Sequence, residues 1–162
     1  MNETAWLNDR EASAWRGYRR MRLLLDLQLN RDLARDSGLS EADYDVLSHV
    51  SESADGRSRL TELAGHMHWS KSRLSHHITR MQQRGLVERR ECATDGRGSV
   101  VLLTELGRET IEAAAPKHVA SVRAHLIDLL TPDELAALDA LSHRIVGRLN
   151  AACDAVRAET GD

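Results

Sequence analysis

A chain of 162 residues is sized for one domain, or one binding lobe with an arm, and with no Phe, three Trp and two Tyr its core must be aliphatic. The net charge of -3 argues at first against a nucleic-acid partner, but residues 57–97 hold nine Arg or Lys against four Asp or Glu, and both flanks are acidic. No apolar run can span a bilayer, Met1-Asn2-Glu3 opens no charged-then-apolar leader, and two cysteines make no disulfide framework, which predicts a cytoplasmic protein.

The first predicted element is a long amphipathic helix from Asp9 to about Arg35. Trp15, Tyr18, Met21, Leu25, Leu29 and Leu33 recur along it at spacings of three and four. Ser37-Gly38 ends it, and so long a stripe predicts a partner helix. Ser40 and Asp43 stand three apart, close to a capping box, and open a shorter helix carrying Tyr44, Leu47 and Val50. Ser51 to Ser58 reads as a turn around Asp55-Gly56, with a short strand at Arg59-Leu60.

Two short helices follow, joined by a tight turn. The first opens at Thr61 with Leu63, Ala64 and Met67 inward, and the turn is His68-Trp69. The second starts from Ser70, a good N-cap, with Leu74, Ile78 and Met81 at helical spacing as its inward face. Lys71, Ser72, Arg73, Ser75, His76, His77 and Arg80 are left on the open face or its flanks. Gly85 suits a left-handed helix stop. Residues 86–90 and 99–103 read as two strands around a polar tip, Ala93 to Gly98. Thr104 caps a helix to about Leu130, with a kink expected near Ala113 to Pro116. Thr131-Pro132-Asp133-Glu134 then caps a last helix with a stripe of Leu135, Leu138, Leu141, Ile145, Leu149, Ala152 and Val156.

A helix whose open side carries short polar and basic groups from its first turn suits the major groove. Arg can fork onto guanine, Ser and His can reach base edges or phosphate, and the helix N-terminus itself favours phosphate. A solvated face is the commoner fate of one charged helix; turn, helix, hairpin and basic loop in close succession favour the reader. Arg97 stands between Gly96 and Gly98, free to extend toward the negative potential of a narrow minor groove. A merely hydrophilic hairpin tip is the competing description.

These pieces resemble the winged helix-turn-helix of the MarR family of bacterial transcriptional regulators. The match lies in LTELAGHM, in SKSRLSHHITRMQQRGLVERR, in the wing DGRG with its Asp95-x-Arg97, and in the closing VVLLTELGRE. The resemblance implies a mainly α fold with a small β-hairpin wing. Residues 1–36 would be an N-terminal dimerisation helix, 37–103 the DNA-binding lobe and 104–162 the C-terminal dimerisation helices. It implies a homodimer offering two recognition helices to a pseudo-palindromic site on double-stranded DNA, about one turn or roughly 34 Å apart. The expected activity is ligand-responsive regulation, more often repression. The expected DNA-binding residues are Ser70, Lys71, Ser72, Arg73, Ser75, His76, His77, Arg80, Asp95 and Arg97. Arg73 would read base identity with help from Ser72, His76 and His77, and Asp95 would hold Arg97.

Other readings compete at particular residues. Trp15, Tyr18, Arg19 and Tyr44 suit a small aromatic or acidic effector, or else plain core. The histidines invite a metal reading, as in a zinc-sensing regulator, but no pair has the four-residue spacing of two ligands on one helix face, and neither Cys is spaced with a His. Cys92, beside Arg89 and Arg90, invites a redox reading that Glu91 opposes. Catalytic motifs are absent, so no catalytic residue, cofactor or metal is assigned. The rival outside this family is a helical dimeric adaptor whose basic patch binds an acidic protein.

Overall fold

The computed structural model describes residues 5–53, 55–91 and 98–160, with side chains to Ala152. The first helix, α1 (Asp9–Ser37), opens on a cap absent from the sequence reading: Asn8 and Glu11 bond each other's backbone at 3.0 and 2.9 Å. It closes at Gly38, whose φ of 65° is left-handed and open to glycine without steric cost. α2 (Glu41–Glu52) opens on the expected Ser40–Asp43 capping box. A short strand β1 (Arg57–Arg59), then α3 (Leu60–His66) and α4 (Lys71–Gln83), follow in order. β2 (Val87–Glu91) and β3 (Ser99–Leu103) pair antiparallel, and β1 pairs on the other edge of β3.

α3 starts one residue earlier than its sequence suggests, because Glu62 accepts from the Arg59 backbone N–H at 3.2 Å and draws Leu60 into the helix. α5 (Glu105–His125) stops short of Leu130. A single 3-10 turn at Ile127–Leu129 replaces its expected end, and Leu130 is extended into the next cap. Pro116 lies inside α5, and the helix continues past it to His125. The last helix, α6 (Pro132–Thr160), has the reciprocal Thr131–Glu134 cap that its opening predicts. No helix among the described residues is long and apolar enough to cross a membrane.

The chain forms two compact units, one ending at Ser121 and the other beginning at Val122. The core of the first is aliphatic, as the composition requires. Leu39, Val46, Leu47, Val50, Leu63, Leu74, Ile78, Met81 and Val101 are fully buried, each large side chain worth about 1.5–3 kcal/mol. Polar ties bring the end of α1 into this unit: Ser121 donates to the buried Asp32 carboxylate at 2.7 Å, and Lys117 to the Asp36 carbonyl at 3.0 Å. Further back, α1 turns Trp15, Tyr18 and Met21 to solvent, as α6 does with Leu141, Ile145 and Leu149.

The junction of wing and α5 depends on Thr104 and Gly107. Thr104 Oγ1 lies 2.6 Å from the Gly85 carbonyl oxygen and accepts from the Gly107 N–H at 2.9 Å. A side chain at Gly107 would meet the Leu86 carbonyl oxygen, 1.9 Å from where its Cβ would stand. Only glycine lets the helix start this close to the strand.

Candidate nucleic-acid interface

α3, the turn and α4 form the helix-turn-helix. His68 takes a left-handed φ of 51° in the turn, and the Trp69 N–H donates to the Ala64 carbonyl at 3.0 Å, which fixes the angle between the helices. Ser70 caps α4, its hydroxyl accepting from the Arg73 N–H at 3.2 Å. Gly85, with φ 74°, closes the far end. Between these limits Leu74, Ile78 and Met81 are buried, while Lys71, Ser72, Arg73, His76, Thr79 and Arg80 are exposed. Thr79 shares the open face although the sequence reading did not include it.

His77 does not belong to that face. Only 6 % of it is exposed. Its Nε2 lies 3.2 Å from Asp43 Oδ1 on α2, near enough for attraction but off the line of a good hydrogen bond. Its Nδ1 is 3.2 Å from an Arg80 guanidinium nitrogen. Arginine can only donate, so Nδ1 accepts and the ring proton sits on Nε2, toward Asp43. His77 therefore supports the helix from inside and cannot assist at the DNA surface.

Asp43 collects several such contacts. Arg84, just past α4, donates to its Oδ2 at 2.7 Å and to the Gly38 carbonyl at 3.0 Å. Burial pushes the Asp43 carboxyl up, but His77, Arg84 and the Ser40 cap outweigh it and hold the group well below the usual carboxylate range. One acidic side chain thus joins the start of α2 to the middle and end of α4.

Ser75 is also partly withdrawn from the open face. Its Oγ accepts from Arg89 on β2 at 3.1 Å, and Arg89 donates a second bond to Ser99 Oγ on β3 at 3.0 Å. The base of the wing is tied to the recognition helix through this guanidinium. The sequence shows Arg89 only as one of a charged run; its role depends on the approach of β2 to α4. Arg90 pairs with Glu88 at 2.7 Å. Asp95, Arg97 and Cys92 lie outside the described residues.

Arg73 lies over the indole of Trp69, its guanidinium carbon 3.8 Å from the ring centre. Beside them an open cavity of about 420 Å³ is lined by Asn30, Ser40, Glu41, Asp45, Met67, Trp69 and Arg73, among others. None of the expected effector residues lines it. Trp15 and Tyr18 stack at 5.8 Å on a half-exposed stretch of α1, next to exposed Arg19, whereas Tyr44 packs on the core and against His118 at 4.4 Å. His49 and His66 face each other at 4.2 Å. Among the described residues no three His, Cys, Asp or Glu side chains are grouped to hold a metal ion.

The family model of the MarR family matches residues 37–98. The chain is similar to AbsC, a MarR family transcriptional regulator from Streptomyces coelicolor, at 46% identity over 91% of this chain and 99% of that one, with a TM-score of 0.87. Sco3205, a MarR family transcriptional regulator of the same organism solved in complex with DNA, is 38% identical over 88% and 89% of the two chains, with a TM-score of 0.84. A mutant of Escherichia coli MarR complexed with operator DNA shares the fold, at 23% identity over 87% and 99% and a TM-score of 0.73. Comparison with curated proteins gives no significant match.

Proposed function

Since the chain belongs to the MarR family of transcriptional regulators, which are not enzymes, we propose that it is a cytoplasmic, ligand-responsive repressor binding a pseudo-palindromic operator as a homodimer. The observation that carries the reading is the open face of α4. Lys71, Ser72, Arg73, His76 and Arg80 are exposed along it, and the Arg89 tie sets the wing beside it. Phosphate contacts would position the protein, while Arg73, able to fork onto a guanine, would carry base identity. From the wing tip Arg97, braced by Asp95, would reach the minor groove.

The dimer is supported by apolar faces that each unit leaves open. On α1 these are Trp15, Tyr18, Met21 and Leu24, and on α6 Leu141, Ile145 and Leu149. Monomeric proteins rarely expose such contiguous apolar stripes, and a two-fold pairing would set the two α4 helices about one DNA turn apart. For the effector, the Trp15–Tyr18 stack beside Arg19 suits an aromatic acid.

Selecting bound fragments from genomic DNA tests the reading. Recovery of fragments sharing an inverted repeat supports it. A protein that enriches no sequence, or that prefers an acidic protein to duplex DNA, would overturn it in favour of the adaptor.

A further inference from the structure

Arg73 is the third residue of α4, and its side chain runs back over the preceding turn to lie on Trp69. Trp69 stands just outside the helix, before the Ser70 cap, and side chains of the first helical turn lean back toward that end. The guanidinium carbon lies over the ring, 3.8 Å from its centre, within the range of a cation–π contact. A guanidinium lying face to face on an indole keeps its edge, with the N–H fork, available. Among the described residues no acceptor bonds that fork. A base-reading arginine needs this arrangement: a fixed plane and free donors.

The indole is itself held in place. Its backbone N–H is tied to Ala64, and the ring packs on the aliphatic core. The buried ring of His77 meets it edge-on at 5.5 Å, and His77 is in turn fixed by Asp43 and Arg80. Asp43, His77, Trp69 and Arg73 form a continuous series from the interior to the surface, each group limiting the freedom of the next. A solvent-exposed arginine otherwise loses considerable side-chain entropy when it docks on a base. A stacked one has lost much of it beforehand.

We propose that Trp69 is a positioning residue for sequence reading, holding the Arg73 guanidinium on its indole face so that the donor fork meets a base edge in a set orientation. The proposal rests on the reading of Arg73 as the base-contacting arginine and adds the device that orients it. A purely structural Trp69, filling the turn and nothing more, is the alternative, and it makes a different prediction: any apolar residue that keeps the packing would serve.

Trp69→Leu keeps apolar bulk and removes the π face. On operator fragments selected from genomic DNA and on scrambled duplex, it is expected to lower the preference for operator by about threefold to tenfold, the cost of ordering a free arginine as it docks, with non-specific binding little changed. In an Arg73→Ala background the same substitution should cost nothing further, because the arginine it positions is gone. A second measurement needs no DNA. With Trp6→Phe and Trp15→Phe leaving Trp69 as the only indole, Arg73→Ala should uncover its face and raise quenching by acrylamide. Unchanged operator preference in a folded Trp69→Leu protein would overturn the proposal while leaving DNA reading intact, as would an equal loss in both backgrounds or quenching indifferent to Arg73. A wild-type protein without sequence preference would instead remove the reading on which the proposal rests.

Discussion

Arg89 on β2 and Ser75 on α4 are joined by a hydrogen bond of 3.1 Å, and the same guanidinium bonds Ser99 on β3 at 3.0 Å. The wing and the recognition helix therefore share one side chain. Arg89 is exposed, so Arg89→Ala should change folding stability by about 1 kcal/mol or less. Its effect on DNA binding should be larger. Arg89→Lys keeps the charge but lacks the planar fork that spans two hydroxyls. The lysine variant should show the wild-type salt slope and weaker operator binding, read from titrations at several salt concentrations. Wild-type affinity would mean that the tie plays no part in presenting the wing.

Asp43 makes a prediction about pH. Its carboxyl is held low in the folded protein, so the stability it contributes is present above its unfolded pKa of about 3.9 and is lost as pH falls through the lower folded value. Asp43→Asn removes the charge facing Arg84 and His77. With Asp43 buried but Arg84 partly solvated, the loss at pH 7 should be about 2 kcal/mol, below the range for a fully buried pair. Urea unfolding of both proteins should show that gap at pH 7 and a narrower one at pH 3. An equal gap at both values would mean that packing, not charge, is responsible.

Gly107→Ala should be among the most harmful small substitutions in the chain. The added methyl would stand 1.9 Å from the Leu86 carbonyl oxygen, which is backbone and cannot rotate away. The start of α5 must shift, straining the Thr104 bonds to Gly85 and Gly107. A loss of about 3 kcal/mol, the upper end for overpacking, is expected in denaturant melts. A variant within about 0.5 kcal/mol of wild type would show that this junction yields.

Ile145 and Leu149 on α6 are more than half exposed in the single chain. Ile145→Asp should leave the fold of the DNA lobe intact and drive the protein toward a single-chain mass in light scattering. Operator binding should weaken with it, since two half-sites would no longer be held together. A two-chain mass that survives the substitution would move the dimer contact away from this face.

The buried side of α4 is legible in sequence because Leu74, Ile78 and Met81 repeat at helical spacing, and all three are fully buried. His77 is not, because its position borders the inward stripe and the open face, and the choice is made by Asp43 on another helix. Arg89 sits in a charged run that local pattern reads as solvated; only the pairing of β2 with β3, and their approach to α4, gives it two hydroxyl partners. Trp69 reads as a turn residue. It lies outside α4, beyond the extended Ser70 cap, so helical spacing does not register its stack with Arg73. α5 ends early because Leu126 leaves helical geometry, at φ -140° and ψ -65°, a break that helical periodicity does not register.

The open face of α4 is expected to read DNA sequence. Competition between a selected inverted-repeat operator and a scrambled duplex, followed by fluorescence anisotropy at fixed salt, measures it most directly. The wild-type protein should prefer the operator by a factor on the order of 10³ or more. Arg73→Ala should lose about 1–3 kcal/mol of that preference while its binding to scrambled duplex changes little. Equal wild-type affinity for the two duplexes, or an Arg73→Ala protein weakened equally on both, would contradict the claim.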